Sequence, residues 1–231
     1  MKQKIRVTNS KKEHFKIKEG RFQVAAAASS EMKDESGDSV RTCNLPDGRL
    51  AIILSDGMGK GLKAKHESQA VVKELRKLLK KGVQPSRAIK IVNKRLVGTE
   101  ESFATIDLTI IDKRTGTASL YKMGATTSFL LRDKNVKKIE HAALPVGIIK
   151  SVKVSQLKVK LHQGDTYIVV SDGITEADKR DLKARWLEEY LTRVPETIGP
   201  KTMANEIAGI AQSKYTNREK DDITVIVIQI K

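Results

Sequence analysis

Two apolar runs end in the same three residues, Ile52-Ile53-Leu54-Ser55-Asp56-Gly57 and Ile168-Val169-Val170-Ser171-Asp172-Gly173. A carboxylate directly after a fully buried strand, with a glycine behind it, sits at the rim of a core. Asp221-Asp222 stands immediately before the last apolar run, and Asp38, in Gly37-Asp38-Ser39, precedes another predicted strand. In an antiparallel pair the start of one strand lies beside the end of its neighbour. If the last strand pairs in that sense with either strand ending in Ser-Asp-Gly, three Asp side chains converge at one sheet edge. Carboxylates that close repel and raise one another's pKa, a conflict that a divalent cation removes. Oxygen-only ligands with no His or Cys nearby favour Mg2+ or Mn2+ over Zn2+. Two such ions about 3.5–4 Å apart lower the pKa of a bridging water and clamp a phosphoryl oxygen. Gly57, without a Cβ, lets its backbone carbonyl approach a metal. A single Asp-Gly after a strand is an ordinary turn; the repetition, with Asp221-Asp222 at a strand start, is what points to metal.

The elements that must carry these residues follow from period and punctuation. Residues 1–20 are basic without a convincing period and read as a tail or short connecting segment. Phe22–Ala28 and Ser39–Asn44 read as short strands, Leu45-Pro46-Asp47-Gly48 as a turn, and Leu50–Leu54 as a buried strand. A helix should follow Gly61, since Val71, Val72, Leu75, Leu78 and Leu79 share a face at the 3.6 period, and Gly82 stops it. Pro85 starts a second helix with Ala88, Ile89, Val92 and Leu96. Phe103–Asp112 alternates as a strand, with Asp107 on its polar face. Strands near 117–123, 127–132, 153–161 and Thr166–Val170 follow, then helices near 179–193 and 200–213, and a last strand at Ile223–Ile230. No low-complexity linker divides the chain, so residues 21–231 are expected to form one domain.

Composition bounds the class. The 231 residues suffice for a layered α/β domain, and one cysteine, Cys43, excludes an internal disulfide and a cysteine-rich zinc site. No apolar run approaches the roughly 20 residues that span a bilayer, and the N-terminus lacks a signal-like core. The expectation is a soluble, cytoplasmic chain. The balance of 44 basic against 28 acidic residues, a net +16, favours anionic partners. Aromatics at 4% are too few for base stacking, which argues against nucleic acid.

At these residues the sequence resembles the PPM (PP2C-like) metal-dependent serine phosphatases, in the bacterial branch of stage II sporulation protein E and the stress-response regulators. The pieces that carry the resemblance are Ser36-Gly-Asp-Ser39, Ser55-Asp-Gly-Met-Gly-Lys-Gly61, Thr105-Ile-Asp-Leu-Thr-Ile-Ile-Asp112, Leu144-Pro-Val-Gly147, Ser171-Asp-Gly-Ile174 and Asp221-Asp-Ile-Thr-Val225. They come in the family's order and cover about 25–231. The resemblance implies a four-layer α/β/β/α sandwich with two central, mostly antiparallel sheets. It implies two Mn2+ or Mg2+ ions, with Asp56 bridging both and the Gly57 carbonyl on the second. Asp172 and Asp221 would hold the first, and Asp38 the second or its waters. Asp222 is a further candidate ligand, standing where relatives often have Asn. The implied catalytic residues are Asp56, Asp172 and Asp221, and the implied reaction is direct attack of a metal-activated water on a phosphoserine or phosphothreonine ester. Relatives act on a phosphorylated anti-sigma-factor antagonist, so a phosphorylated regulatory protein is the implied partner. The helices after Gly61 resemble elements that carry a switch and homodimer contacts in the sporulation branch. Where other members hold a third metal through Gly-Asp-Ser, this chain has Gly124-Ala125-Thr126.

Two further readings are set beside this one. A chain that keeps the fold without turnover would be a signalling or binding module. Cys43-Asn-Leu-Pro-Asp-Gly-Arg49 formally fits the Cys-x5-Arg loop of thiol phosphatases, but that chemistry needs a phosphate-cradling loop and a helix N-terminus after the cysteine. A hairpin turn and a strand are expected there instead. Asp107 is expected to pair with a neighbouring Thr or Lys.

Overall fold

In a computed structural model, the described residues are 13–19, 21–29, 36–59, 61–98, 102–178, 181, 184–215 and 221–231. Eleven strands and five helices are formed by them: β1 Glu13–Glu19, β2 Phe22–Ser29, β3 Asp38–Asn44, β4 Leu50–Asp56, α1 Gly61–Lys80, α2 Pro85–Leu96, β5 Ile106–Asp112, β6 Thr117–Met123, β7 Ser128–Arg132, β8 Asn135–Ile139, β9 Leu157–Lys160, β10 Thr166–Val170, α3 Asp172–Thr175, α4 Arg185–Arg193, α5 Pro200–Lys214 and β11 Ile223–Ile230. The strands make two sheets, ordered β1-β2-β11-β10-β7-β8 and β3-β4-β5-β6-β9, and every pairing is antiparallel. This is the α/β class expected, built on two antiparallel sheets.

The chain divides into two compact units, one around each sheet. In the six-stranded unit, β10 and β11 are buried at every position. That is why they read as unbroken apolar runs rather than alternating ones. One face of this sheet, with Ile168, Val170, Val225 and Val227, packs with Trp186, Leu187 and Leu191 of α4 and Met203, Ala204 and Ile207 of α5. In the five-stranded unit, Ala51 and Ile53 of β4 and Ile106, Leu108 and Ile110 of β5 pack with Val71, Leu75 and Leu79 of α1 and Ile89 and Val92 of α2. The 3.6-residue stripe on α1 is the face that this core covers.

Several local expectations are met. Leu45–Gly48 is the β3–β4 hairpin turn, with Gly48 at φ 81° and its N–H donated to the Leu45 carbonyl. Gly82, at φ 78°, follows α1. Asp107 pairs with Lys122, its register partner across β5 and β6, and the Lys122 ammonium also donates to the Thr126 carbonyl at 2.6 Å. Both side chains of that ion pair are buried.

Other expectations shift. Residues 13–19, expected within a basic tail, form β1, paired along its length with β2; residues 1–12 lie outside the described residues. The strand expected near 153–161 is shorter, β9, and β8 is an additional strand joined to β7 through Asp133 and Lys134, both at positive φ. The strand expected from Phe103 begins at Ile106. The helix expected near 179–193 is α4 from Arg185, with 179, 180, 182 and 183 outside the described residues. Among the described residues no helix is long and apolar enough to cross a membrane.

Candidate metal centre

The first Ser-Asp-Gly end belongs to the five-stranded unit. Ser55 is fully buried and its hydroxyl donates to the Thr105 carbonyl at 2.7 Å. Thr105 in turn holds the next residue from two sides. Its Oγ1 accepts the Asp56 N–H at 2.9 Å, and its own N–H donates to the Asp56 carbonyl at 2.8 Å. The backbone of Asp56 is therefore fixed at the end of β4 while its carboxylate stays partly exposed. Directly opposite in the ladder is Asp38, the first residue of β3. Like charges directly opposite across a strand pair repel, and a divalent cation is one group that relieves such a pair.

Gly57 continues the same ladder, donating its N–H to the Gly37 carbonyl at 3.2 Å. A Cβ on Gly57 would lie 1.9 Å from the Ala64 carbonyl oxygen of α1. The glycine is thus required by the close approach of α1 to the strand end, a reason independent of any metal at its carbonyl.

The second Ser-Asp-Gly end belongs to the six-stranded unit and departs from the first in secondary structure. Asp56 is the last residue of a strand, whereas Asp172 is the first of the short helix α3. Ser171, nearly buried, ties β10 to β11: its N–H donates to the Thr224 carbonyl at 3.0 Å and its Oγ accepts the Thr224 N–H at 2.9 Å. A Cβ on Gly173 would lie 2.1 Å from the Asp222 carbonyl oxygen. Tyr215, at the end of α5, donates its hydroxyl to the Gly173 carbonyl at 2.7 Å. These contacts bring Asp172 to the same sheet end as Asp221 and Asp222. Burial first, then the charge of Asp221 and then that of Glu176, push the Asp172 carboxyl up to about 6. A carboxylate raised by burial and by a neighbouring carboxylate is the electrostatic state that a divalent cation relieves.

The last strand pairs with β10 and not with β4, which lies in the other sheet. The strand-pairing condition for convergence is therefore met by one Ser-Asp-Gly end only. Asp38, Asp56 and Gly57 are gathered in one unit, and Asp172, Asp221 and Asp222 in the other. Among the described residues no group of three His, Cys, Asp or Glu side chains forms a metal cage. Each half offers oxygen donors alone, with like charges placed close together, and on those grounds the residues fit a hard divalent cation.

Cys43 lies in β3, and burial pushes its thiol up rather than down. A strand, β4, follows the turn, so the thiolate chemistry of a Cys-x5-Arg loop has neither its helix nor its anion. Sequence reasoning missed Thr105 and Tyr215. Thr105 stood inside a quoted motif, but nothing in its spacing announces that it clamps Asp56. Tyr215 carries no sequence signal for its bond to a carbonyl 42 residues away.

The family model for stage II sporulation protein E matches residues 46–231. The chain belongs to this family. The sporulation protein E relative from Bacillus subtilis (strain 168) is 34% identical over 198 residues, covering 84% of this chain and 24% of its own length. This family member thus spans about a quarter of that curated relative. A solved structure of the PP2C phosphatase domain and a regulatory-domain fragment of SpoIIE from Bacillus subtilis superposes with a TM-score of 0.84 at 32% identity, over 93% of this chain and 64% of that one. A structure of RsbX in complex with magnesium shares the fold, with a TM-score of 0.71 at 19% identity over 95% of this chain and all of that one. The fold is that of the PP2C-like serine phosphatases.

Proposed function

We propose that residues 21–231 are a Mn2+- or Mg2+-dependent serine/threonine protein phosphatase domain acting on a phosphoserine of a regulatory protein, an anti-sigma-factor antagonist by family inference. The observation that carries this reading is the repeated crowding of carboxylates at strand ends. Asp38 faces Asp56 across one ladder, and Asp172 is raised to about 6 beside Asp221 in the other unit. Membership of the sporulation protein E family supports it, as does the magnesium bound by the RsbX relative of the same fold.

Asp38, Asp56 and the Gly57 carbonyl would hold metal in one unit, and Asp172, Asp221 and Asp222 in the other, with two ions in all. Such ions, when bound, supply a water of lowered pKa and neutralise phosphoryl charge. The protein's own part is positional. Thr105 fixes the Asp56 backbone through two hydrogen bonds, and Ser171 and Tyr215 fix the turn that carries Asp172. Pinning the backbone this way limits how far the carboxylates must move to receive a cation, and such preorganisation is the contribution electrostatic catalysis requires. The Mn2+/Mg2+ dependence, the substrate and the cytoplasmic setting belong to this reading. So does a homodimer through the helices after Gly61.

The test is phosphate release from a phosphoserine peptide and from candidate phosphorylated sigma-pathway antagonists, with Mn2+, with Mg2+ and with chelator. Loss of activity in chelator and in Asp172→Asn is expected. Activity indifferent to both would sink the reading. Metal binding without hydrolysis of any phosphoprotein would mark a signalling module instead.

A further inference from the structure

More than half of the chain's net charge is concentrated on two helices. Between Gly61 and Gly98 the sequence holds eleven Lys and Arg against two Glu, a formal +9 of the total +16. Of the two glutamates, Glu67 is buried, and Glu74 is taken up by Arg95 at 2.8 Å. Lys73, Lys77 and Lys80 on α1, and Arg87, Lys90 and Lys94 on α2, are all exposed. No carboxylate among the described residues pairs with any of these six.

Their placement is ordered. On each helix the cations recur at three- or four-residue intervals, about 5 Å apart along the axis. The opposite faces, with Val71, Leu75 and Leu79 on α1 and Ala88, Ile89 and Val92 on α2, are buried in the core over the five-stranded sheet. The two rows therefore point away from that sheet, about 8–10 Å apart for packed helices. Helix stability accounts for only half of them. Cations favour a helix C-terminus, which covers Lys77 and Lys80 on α1 and Lys94 on α2. Arg87 sits in the first turn of α2, where a cation is unfavourable and no acid compensates it.

We infer that the outer face of the α1–α2 hairpin is a docking surface for an anionic lipid bilayer, held by charge. Two helices lying side by side on a sheet present both rows at one level, and a flat anionic surface meets both together. A nucleic-acid duplex is a cylinder and meets the two rows less evenly along their length. Neither helix contains a Phe, Tyr or Trp on which a base could stack. Of the hairpin's residues only Leu62 is a large exposed hydrophobic, and it lies at the Gly61 end, away from the cation rows. Attachment is thus reversible and salt-sensitive, with each Lys or Arg near the surface contributing about fivefold in affinity. This surface does not depend on the catalytic reading, since no residue of the carboxylate clusters takes part, and it competes with a homodimer through the same helices, whose like-charged rows would repel.

The experiment is co-sedimentation of the full chain with phosphatidylcholine vesicles and with vesicles containing about 30% phosphatidylglycerol. Binding to the anionic vesicles alone is expected at about 100 mM salt, with release at about 500 mM. The hairpin variant Lys73→Glu/Lys77→Glu/Lys90→Glu should lose about a hundredfold or more. The control Lys153→Glu/Lys158→Glu/Lys201→Glu, which reverses as many exposed lysines elsewhere, should lose several-fold at most. Should the triple hairpin variant fail to fold, Lys73→Glu and Lys90→Glu singly must each cost about fivefold. No partition into anionic vesicles overturns the inference, as do equal losses in the hairpin and control variants. Tighter binding to a DNA duplex than to vesicles at matched phosphate concentration would reassign the surface to nucleic acid.

Discussion

Asp172→Asn should stabilise the metal-free protein. The substitution keeps the side chain's shape and removes its charge. In the folded chain the Asp172 carboxyl is raised from 3.8 to about 6, by burial first and by Asp221 and Glu176 after it. The folded state therefore binds this proton more tightly than the unfolded chain does. The cost of ionising the group grows as pH rises past about 4 and is complete above about 6. At 1.36 kcal/mol per pH unit, the full cost is about 3 kcal/mol. At pH 4.5 the same linkage leaves about 1 kcal/mol. In chelator at pH 7.5 the Asn variant should melt above wild type by roughly 6–12 °C, a gap that narrows sharply at pH 4.5. Saturating Mn2+ should then raise wild type by more than the variant, because the variant keeps only the Asp38–Asp56 site and loses the binding energy of the other. The measurement is thermal unfolding at both pH values, with chelator and with metal. An Asn variant less stable than wild type in chelator, or a gap independent of pH, would refute the electrostatic argument.

Four further outcomes follow from the packing. Lys122→Met alone removes the buried ammonium that faces the Asp107 carboxylate and should cost about 3–5 kcal/mol; adding Asp107→Leu should recover much of that, read from urea midpoints of the double-mutant cycle. Tyr215→Phe removes the bond to the Gly173 carbonyl and should cost about 1 kcal/mol in stability. It should also weaken Mn2+ binding measured by calorimetry; unchanged metal affinity would make Tyr215 a packing residue alone. Gly57→Ala forces a Cβ to within 1.9 Å of the Ala64 carbonyl and should destabilise by about 1–3 kcal/mol or more as α1 shifts. Gly48→Ala meets no neighbour, and its cost should come from the left-handed turn alone, about 1 kcal/mol.

What could be read from the chain was local. The Ser-Asp-Gly ends, the Leu45–Gly48 turn and the apolar stripe of α1 each state their own structure within a few residues. The period-2 alternation of Phe15 and Ile17 with Lys16 and Lys18 was equally present, but charge disguised it; a lysine-bearing strand at a sheet edge is the usual guard against edge pairing. What could not be read was non-local. The two matching strand ends fall in different sheets because β4 finds β3 and β5 while β10 finds β7 and β11, a choice made by packing and not by the matching residues. Thr105 and Tyr215 were opaque for the same reason: their work is a hydrogen bond to a distant backbone. Gly57 and Gly173 were legible as necessary, but one cause was not, since each admits a neighbouring backbone carbonyl from outside its own motif.

The pairing of β2 with β11 has a temporal meaning. β11 is flanked by β2 and β10, with Ala25 opposite Val227 in the ladder. A nascent chain can complete the five-stranded sheet once residue 160 has emerged, since its last strand, β9, ends there. The six-stranded sheet must wait for Ile223–Ile230, some two hundred residues after the strand it joins. Until then β2 and β10 have open edges, a state prone to misassembly during synthesis at about 5–20 residues per second. Asp221, just ahead of β11, cannot reach Asp172 before that closure. The carboxylate pair of this unit is thus assembled last, so a partly made chain carries Asp172 without its neighbour.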